Sequence, residues 1–337
     1  MSINIQDIAA KLKISTSTVS KALNGYTDVS VKTRDRVMQT ALEMGYQPSA
    51  AARNLRRGRT DKIGLFLNTS IEYAVDYLSG IIPGAVLKAQ GFDKNLVIYT
   101  ITNNDPNHLL NVCRAGEIDG VILFSTHYDS QTIESLLSDK FPFVVMGREI
   151  RDARVSYVIP DYYGGSYQAT QYLIGLGHRR IAFTTRPELT TANKARLQGY
   201  LDALSEANIA HDDDLIAETY IEADSGVTVT EKFLQLVDQP TAIFAFHDLV
   251  AVNVVKTLQK HHISVPDDIS VVGFDGLRAG FMTTPHITTM AQPLSLIGQR
   301  VIEIINQKIE HPDSIVRQEI LPVKLIERQS SSTPKIT

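Results

Sequence analysis

The sequence predicts an N-terminal all-α domain followed by an α/β core of two doubly wound parallel-sheet lobes. Residues 1–47 contain three short apolar-periodic segments, and the rest alternates short apolar runs with amphipathic stretches in two successive series. The chain of 337 residues also exceeds what one hydrophobic core usually organises, and 43% of its residues are hydrophobic. Several separate cores are therefore expected.

Three short helices are predicted in the N-terminal domain. The first covers residues 5–12, because its apolar side chains recur three and four residues apart. Ser15 and Ser30 are expected to cap the second and third helices, and Gly25 and Gly45 to end them. The predicted apolar stripe of the third helix consists of Val31, Val37, Ala41, Leu42 and Met44.

The first two helices, joined by a tight turn, have the layout of a helix-turn-helix reader of DNA. An ordinary three-helix cap with a solvated polar face is the alternative. Residues 1–62 hold 11 Lys and Arg against 5 Asp and Glu, whereas residues 63–337 hold 22 against 32. The positive charge is thus concentrated in residues 1–62, which we call the head, and the negative charge in residues 63–337, which we call the body. This favours the helix-turn-helix interpretation, because positively charged residues bind the phosphates of DNA.

A basic segment at residues 49–60 follows Pro48. It contains good helix formers but is too short to be a stable helix in water by itself. A disordered basic tether is expected for the isolated chain, whereas on DNA the segment is expected to fold against a dimer partner. Leu55 would then wedge a base step open from the minor groove.

Two series of buried parallel strands are predicted in the body, with helices such as 77–90 and 132–137 between them. The predicted strands are residues 63–68, 95–100, 120–125, 143–147, 180–185, 215–220, 242–247 and 269–274. Two helix-covered parallel sheets follow from this alternation. A ligand is expected at the carboxyl ends of the strands, in the cleft between the lobes.

Several other classes of protein are excluded by the sequence. No apolar run approaches the roughly 18 to 20 residues of a membrane helix, and the N-terminus has no apolar secretory region. A cytoplasmic protein without membrane contact is therefore expected. The single cysteine, Cys113, excludes an internal disulfide and a cysteine-based zinc cluster. Phosphate-loop, G-x-S-x-G and H-E-x-x-H motifs are absent, so we expect no enzyme, catalytic residue, metal or cofactor.

The head and linker resemble the DNA-binding end of the lactose-repressor family of bacterial transcription regulators. The matching stretches are NIQDIAAKLKISTSTVSKALNG, VSVKTRDRV and GYQPSAAARNLRRGRTDKIGLF. The resemblance implies DNA contacts from Thr16, Ser17, Ser20, Lys21 and Asn24 in the head and from Ala52, Arg53, Leu55 and Arg57 in the hinge. Of these, Thr16, Ser17 and Lys21 would approach base edges. Lys21 stands where many relatives have Arg, and a lysine lacks the rigid two-pronged fork.

The body resembles the periplasmic-binding-protein-like core of the same family. Segments that carry the resemblance include DGVILF, YLIGLGHRRIAF, RLQGYLDAL, PTAIFAFHDLVAVNVVKTLQ and VPDDISVVGFDG. The implied organisation is a helix-turn-helix domain at 1–47, a hinge at 48–61, a core at 62–328 and a flexible tail at 329–337. Within the core, the first lobe is expected at about 62–160 plus 293–321, and the second at about 162–291 plus 322–328.

An effector site in the cleft is also implied by the resemblance. Arg196, in RLQGY, matches the family's effector-binding arginine, whose fork can hold two neighbouring hydroxyls or a carboxylate. Asp275 matches an acceptor for ligand hydroxyls, and Asp161 an aspartate at the lobe crossover. Arg148 follows a strand end and is expected to reach the cleft.

The predicted effector site departs from the family pattern at His247 and in the stretch TSIEYAVDY. His247 stands where relatives commonly have Asn, and ligand contact and packing at the strand end remain equally open for it. The stretch TSIEYAVDY replaces the frequent Asn-Pro-Phe-Phe at the first strand-to-helix turn. There Tyr73 is expected to supply aromatic stacking, and Asp76 or Glu72 a hydroxyl acceptor.

The resemblance implies a repressor of carbohydrate-use genes that binds a pseudo-palindromic operator as a homodimer and is released by a sugar. A neutral sugar is favoured, because Arg196, Asp275 and Asp161 supply mixed donors and acceptors without a dense cationic cluster. A regulator with a purine or other metabolite as co-repressor is the alternative. A further alternative is a solute-binding protein without a regulatory role. Such a protein would not need a positively charged N-terminal domain.

Overall fold

The computed structural model describes residues 3–46, 58–67, 71–100, 107–124, 130–187, 190–221 and 225–335, without the side chains of 71–74. The chain divides into two compact units, Met1–Thr60 and Asp61–Thr337.

Three helices make up the described part of the first unit: α1 (Ile5–Leu12), α2 (Thr16–Leu23) and α3 (Val31–Glu43). The predicted caps are confirmed. The Ser15 hydroxyl accepts the Thr18 N–H at 3.0 Å, and the Ser30 hydroxyl accepts the Thr33 N–H at 3.3 Å. These bonds satisfy backbone donors that have no partner inside their own helices.

A small apolar core joins the three helices. Its buried members include Ile8, Val19, Ala22, Val37 and Ala41. The stripe predicted for α3 is wrong at two positions, because Val31 is 68% exposed and Leu42 is 82% exposed. At 3.6 residues per turn these two side chains lie about a third of a turn away from Val37 and Ala41.

The second unit contains two six-stranded sheets. The strands are β1 (Lys62–Leu67), β2 (Asn95–Thr100), β3 (Gly120–Phe124), β4 (Phe143–Met146), β5 (Tyr157–Pro160), β6 (Ile181–Thr185), β7 (Ile216–Glu218), β8 (Ala242–Phe244), β9 (Ser270–Asp275), β10 (Thr288–Ala291), β11 (Gln318–Leu321) and β12 (Lys324–Ile326). The first sheet has the order β11-β5-β4-β3-β1-β2 and the second β12-β10-β9-β8-β6-β7. All pairs are parallel except β10 with β12. Strands β5, β10, β11 and β12 were not predicted, because β10 (TTMA), β11 (QEIL) and β12 (KLI) contain polar residues and β5 (YVIP) ends in proline.

Helices cover both sheets, as the α/β class requires. They are α4 (Ile71–Gln90), α5 (His108–Arg114), α6 (Ser130–Ser138), α7 (Tyr162–Gly175), α8 (Thr191–Glu206), α9 (Val227–Leu234), α10 (Asp248–Lys260) and α11 (Leu294–Glu310). We call the sheet containing β1 with its helices the first lobe, and the sheet containing β6 with its helices the second lobe. The predicted fold class of two doubly wound lobes is confirmed.

The chain crosses between the lobes after β5, after β10 and between β11 and β12. After the second crossing, α11 packs closely on α4 of the first lobe. A Cβ atom added at Gly84 would lie 2.1 Å from the Ser295 carbonyl oxygen, and one at Gly298 2.3 Å from that of Ile81. Glycine at these positions lets the two helix backbones touch, so α4 and α11 form a tightly packed pair.

Within the described ranges, the structure contains no helix whose length and apolar character would let it span a membrane.

Candidate DNA-binding surface and effector cleft

The exposed face of α2 is polar. Val19 and Ala22 anchor the helix in the core, which turns the hydroxyl-bearing residues outward. Thr16, Ser17, Lys21 and Asn24 are exposed and Ser20 is half-buried. A shallow groove of about 530 Å³ runs past this face, lined by Ile5, Thr16, Ser17, Ser20, Lys21 and Tyr26. The short hydroxyls and the ammonium group are thus presented together, in a form that can donate to phosphates and base edges.

Lys21 forms an exposed ion pair with Asp28, in which its Nζ lies 2.5 Å from Asp28 Oδ2. The hydrogen bond to Asp28 raises the pKa of Lys21, and the same bond lowers the pKa of Asp28. Asn24 donates through Nδ2 to the Ser20 carbonyl oxygen. Because the pair faces solvent, Lys21 can exchange the Asp28 carboxylate for another acceptor.

The four hinge residues predicted to contact DNA, Ala52, Arg53, Leu55 and Arg57, lie outside the described residues, as do the side chains of Glu72 and Tyr73.

Arg196 occupies the centre of the cleft, where it is only 8% exposed. Its guanidinium carbon lies 4.3 Å from the ring centroid of Tyr162 and 4.6 Å from that of Phe274. The cation therefore contacts two aromatic faces, which attract it through their quadrupoles. The close approach of α8 to α7 makes this possible: a Cβ at Gly199 would lie 2.4 Å from the Tyr163 carbonyl oxygen.

Asp275 ends β9 and is 2% exposed. Its Oδ1 lies 3.6 Å from Arg196 Nη2 and accepts a hydrogen bond from Gln292 Nε2. Burial raises the pKa of Asp275 well above its ordinary value, and the Arg196 cation opposes that rise. The backbone of Asp275 has φ 111°, which a residue with a Cβ rarely adopts. Such strain is typical of residues held in place for a function.

His247, which follows β8, points its ring at Asp275. Its Nδ1 accepts the Leu249 N–H at 3.1 Å, so a neutral ring carries its proton on Nε2. That nitrogen lies 3.1 Å from Asp275 Oδ2, although the contact is not aligned as a hydrogen bond. Burial lowers the pKa of His247 to about 3, with help from the cations Arg196 and Arg186. The imidazole therefore caps α10 and contacts Asp275 in its neutral form.

Four cleft residues were not predicted from the sequence: the aromatic rings Tyr162 and Phe274, and the pair Tyr77 and Gln292. The Tyr77 hydroxyl donates to Gln292 Oε1 at 2.7 Å, and Gln292 is the residue directly after β10. The strand-end rule that favours Asp275 at the end of β9 would select Gln292 only once β10 is recognised as a strand, and β10 was not predicted. Sequence carries no comparable signal for Tyr77, which lies inside the long helix α4.

The other predicted cleft residues have defined partners or surroundings. Asp76 Oδ2 accepts the Ala279 N–H at 3.3 Å, so it links α4 to the second lobe. Asp161 Oδ1 accepts the Gly164 N–H at 2.8 Å and caps α7. Arg148 lines a cavity of about 500 Å³ at the cleft mouth, which is also lined by Thr191 and Lys194 of the second lobe.

Asp248 is the first residue of α10, and His247 holds the N-cap position. Its carboxylate accepts the Leu277 N–H at 2.6 Å and the Thr289 hydroxyl at 2.7 Å. Burial raises the pKa of Asp248 to about 7. Across the part of the chain that the structure describes, no three His, Cys, Asp or Glu side chains are grouped to hold a metal ion.

Comparison with known proteins decides the family. Residues 4–49 match the family described as bacterial regulatory proteins of the lacI family, and residues 170–331 match a periplasmic binding protein-like domain. The HTH-type transcriptional regulator CelR of Thermobifida fusca is 32% identical over 97% of this chain and 97% of its own length. The chain belongs to the lacI family of bacterial regulatory proteins. The ribose operon repressor of Haemophilus influenzae is 31% identical over 97% of this chain and 98% of its own.

Solved structures agree with this membership of the lacI family. The complex of CelR with cellobiose superimposes with a TM-score of 0.76 at 29% identity, over 97% of this chain and 99% of that one. The lac repressor dimer bound to operator superimposes with a TM-score of 0.84 at 23% identity, over 98% and 100%, which shows a shared fold. The resemblance inferred from the head and body is therefore confirmed. CelR and the ribose operon repressor are regulators rather than enzymes.

Proposed function

We propose that this lacI-family chain is an operator-binding repressor whose affinity for DNA is set by a neutral carbohydrate bound between the lobes. The observation that carries the proposal is the buried pair Arg196 and Asp275 at the strand ends, in a chain that also has a polar, cation-bearing recognition helix. CelR, a relative over nearly the whole chain, has been solved with cellobiose. The proposal needs no catalytic residue, metal or cofactor.

The chemistry of the buried pair supports a ligand rich in hydroxyl groups. Among the described residues, Arg196 Nε is a buried donor without an acceptor, and Asp275 Oδ2 is a buried acceptor without an aligned donor. Buried polar atoms in proteins nearly always have partners. A hydroxyl group donates and accepts at once, so one sugar hydroxyl can serve both atoms. The Tyr162 and Phe274 rings supply the apolar walls that most ligand sites have.

For DNA we propose base-edge contacts from Thr16, Ser17 and Lys21, and backbone contacts from Ser20 and Asn24. Lys21 would leave Asp28 to reach the DNA, so operator binding exchanges one ion pair for another. Hinge residues Ala52, Arg53, Leu55 and Arg57 would add minor-groove and phosphate contacts. These assignments come from the family pattern.

The domain organisation that goes with this function is a DNA-binding domain at 1–47, a hinge at 48–61 and an effector-binding core from 62. The core extends past its expected end at 328 into the segment predicted as a flexible tail, because Ser330 is fully buried and its hydroxyl donates to the Val271 carbonyl oxygen. Two chains would pair through their cores, because a two-fold protein matches a pseudo-palindromic operator. A cytoplasmic location follows, since that is where a bacterial regulator meets its DNA.

A thermal-shift screen tests the proposal. Common mono- and disaccharides, with cellobiose and ribose among them, and a matched set of purines are added to the full chain at equal concentration. Since a ligand that binds only the folded state raises the unfolding temperature by mass action, at least one sugar should raise it and the purines should not. A purine that stabilises the chain when no sugar does would assign the co-repressor alternative instead.

A further inference from the structure

One chain of side-chain hydrogen bonds crosses the cleft. The Tyr77 hydroxyl of the first lobe donates to Gln292 Oε1 at 2.7 Å. Gln292 Nε2 in turn donates to Asp275 Oδ1 in the second lobe. The amide can serve both neighbours in only one orientation, with its oxygen toward the phenol and its nitrogen toward the carboxylate. The carboxylate, which only accepts, fixes this orientation, and the Tyr77 hydroxyl ties the amide to the first lobe.

The position of Tyr77 is set by its own lobe. Its ring stacks on Phe124 at the end of β3, with centroids 5.7 Å apart and planes 12° from parallel. The helix that carries it, α4, is held against α11 by the close contacts at Gly84 and Gly298. The ring also packs against the hydrophobic cores of both lobes. Tyr77 is thus a rigid part of the first lobe with its hydroxyl at the lobe boundary.

A second contact from the same turn of α4 crosses the cleft. Asp76 Oδ2 accepts the Ala279 N–H of the second lobe at 3.3 Å. Two neighbouring residues of one helix therefore bond to the other lobe, one through Gln292 and one directly to backbone. Neither hydrogen bond involves a ligand. Both would break if the lobes separated at this point.

We propose that Tyr77 is a positioning residue of the effector site, and that Tyr77, Gln292 and Asp275 form a latch that holds the cleft closed in the unliganded protein. A second ligand hydroxyl, bonded to Asp275 Oδ1 beside the one that serves Oδ2, replaces the Gln292 amide and releases the first lobe from the latch. This role of the ligand rests on the proposed function. The latch itself is a property of the protein without ligand or DNA.

Distance measurement across the cleft in the absence of ligand and DNA tests the latch. Helices α6 and α8 begin at the same cleft-mouth cavity, one in each lobe, because Ser130, Thr191 and Lys194 all line it. Spin labels at Ser138→Cys and Ser205→Cys, both exposed positions further along these helices, report on lobe separation. The only cysteine of the chain is first removed as Cys113→Ala. Labelled full-length chain is diluted into excess unlabelled chain, so that only distances within one chain are read by electron–electron double resonance.

Tyr77→Phe removes only the hydroxyl and should shift the distance distribution toward longer values. The closed-to-open ratio should fall roughly two- to twelvefold, the equivalent of one hydrogen bond. Gln292→Met should shift it at least as far, and the double variant no further than Gln292→Met alone, because both changes break the same latch. Tyr172→Phe is the matched control, since its hydroxyl pairs with Ser331 inside the second lobe. It should leave the distribution unchanged.

An unchanged distribution for Tyr77→Phe, or an equal shift for Tyr172→Phe, overturns the latch, as do additive shifts in the double variant. If Gln292→Met does not fold, the comparison of Tyr77→Phe with Tyr172→Phe is sufficient to test the latch. Because no ligand or DNA is present, a negative result removes the latch and leaves the proposed carbohydrate regulation standing. A failed sugar screen likewise leaves the distance result intact.

Discussion

At the scale of single residues, the centre of the cleft is a buried cation and a buried carboxylate held by aromatic rings and amide groups. Arg196 contacts Tyr162 and Phe274 on its two faces and Asp275 at its edge. A buried ion pair contributes little net stability by itself, because desolvation offsets the attraction. The proposed ligand recognition, which needs a fixed donor beside a fixed acceptor, would account for the pair.

Arg196→Lys should remove the effector response and leave the fold intact. Lysine keeps the charge that compensates Asp275, whereas Arg196→Ala would leave that carboxylate unpaired at a cost of about 3–5 kcal/mol. Lysine lacks the planar guanidinium group, which stacks on both rings and can donate hydrogen bonds to two ligand atoms. The stabilising sugar from the screen should therefore shift the unfolding temperature of the variant far less than that of the wild type. Arg180→Lys, at an ion pair with Asp212 away from the cleft, is the control and should respond fully.

Asp248 should make the core less stable as the pH rises. The pKa of Asp248 is raised from 3.8 to about 7 in the folded state. Its contribution to the free energy of unfolding is therefore complete below pH 4 and is lost as the pH rises through about 7. Each pKa unit corresponds to about 1.4 kcal/mol. Asp275 acts in the same direction, whereas the nearby Arg328 cation opposes the shift of Asp248.

The test of this pH dependence is Asp248→Asn, compared with wild type by thermal unfolding from pH 5 to 8.5. The amide oxygen can still accept the Leu277 N–H while its nitrogen donates to Thr289 Oγ1. The variant should lose less stability over this range than the wild type. Parallel pH profiles for the two proteins would show that Asp248 is ionised throughout.

At the scale of elements, α2 presents its polar face because Val19 and Ala22 bury the opposite one. Lys21→Ala should weaken binding to a duplex selected from a random pool more than binding to a scrambled duplex. A lost base contact costs about 1–3 kcal/mol at its own position, whereas a lost phosphate contact weakens all sequences alike. Lys32→Ala, at an exposed lysine on α3, is the matched control. Equal losses on both duplexes for Lys21→Ala would assign that side chain to the phosphate backbone.

Helices α4 and α11 pack closely through glycine. Gly298→Ala should destabilise the core by about 1–3 kcal/mol or more, because the new methyl would meet Ile81 O at 2.3 Å and Ala85 N at 2.8 Å. Gly175→Ala at the end of α7 meets nothing within 4 Å and should gain up to about 1 kcal/mol from helix propensity. Denaturant unfolding of both variants checks the pair. Equal stability changes would mean that the helices can separate without cost.

At the scale of the whole molecule, the sequence predicted the parts whose signals are local. Strands such as β3 and β4 are uninterrupted apolar runs, and Ser15 and Ser30 are recognisable as caps within three residues of their partners. Arg196 and Asp275 were selected from their family context and strand-end position, and the structure brings them together.

The rest of the cleft depends on contacts that sequence spacing does not encode. Tyr77 and Gln292 bond across 215 positions of the chain, and α4 gives no local sign that one of its residues faces the other lobe. In the sequence, Phe274 does not differ from other buried strand residues. Its contact with Arg196 depends on the position of α8 in the folded protein. Val31 and Leu42 were misassigned to the core because the apolar pattern of α3 is broader than its buried face.

Binding of a sugar in the cleft should change the affinity of the first unit for DNA. This coupling can be measured in one titration. Fluorescence anisotropy gives the affinity of the full chain for a duplex selected from a random pool, while the stabilising sugar is added. We expect a preference for that duplex over a scrambled one, and a change in its affinity as the sugar binds that is absent in Arg196→Lys. A sugar that stabilises the core yet leaves the affinity for the selected duplex unchanged at saturation would refute the coupling.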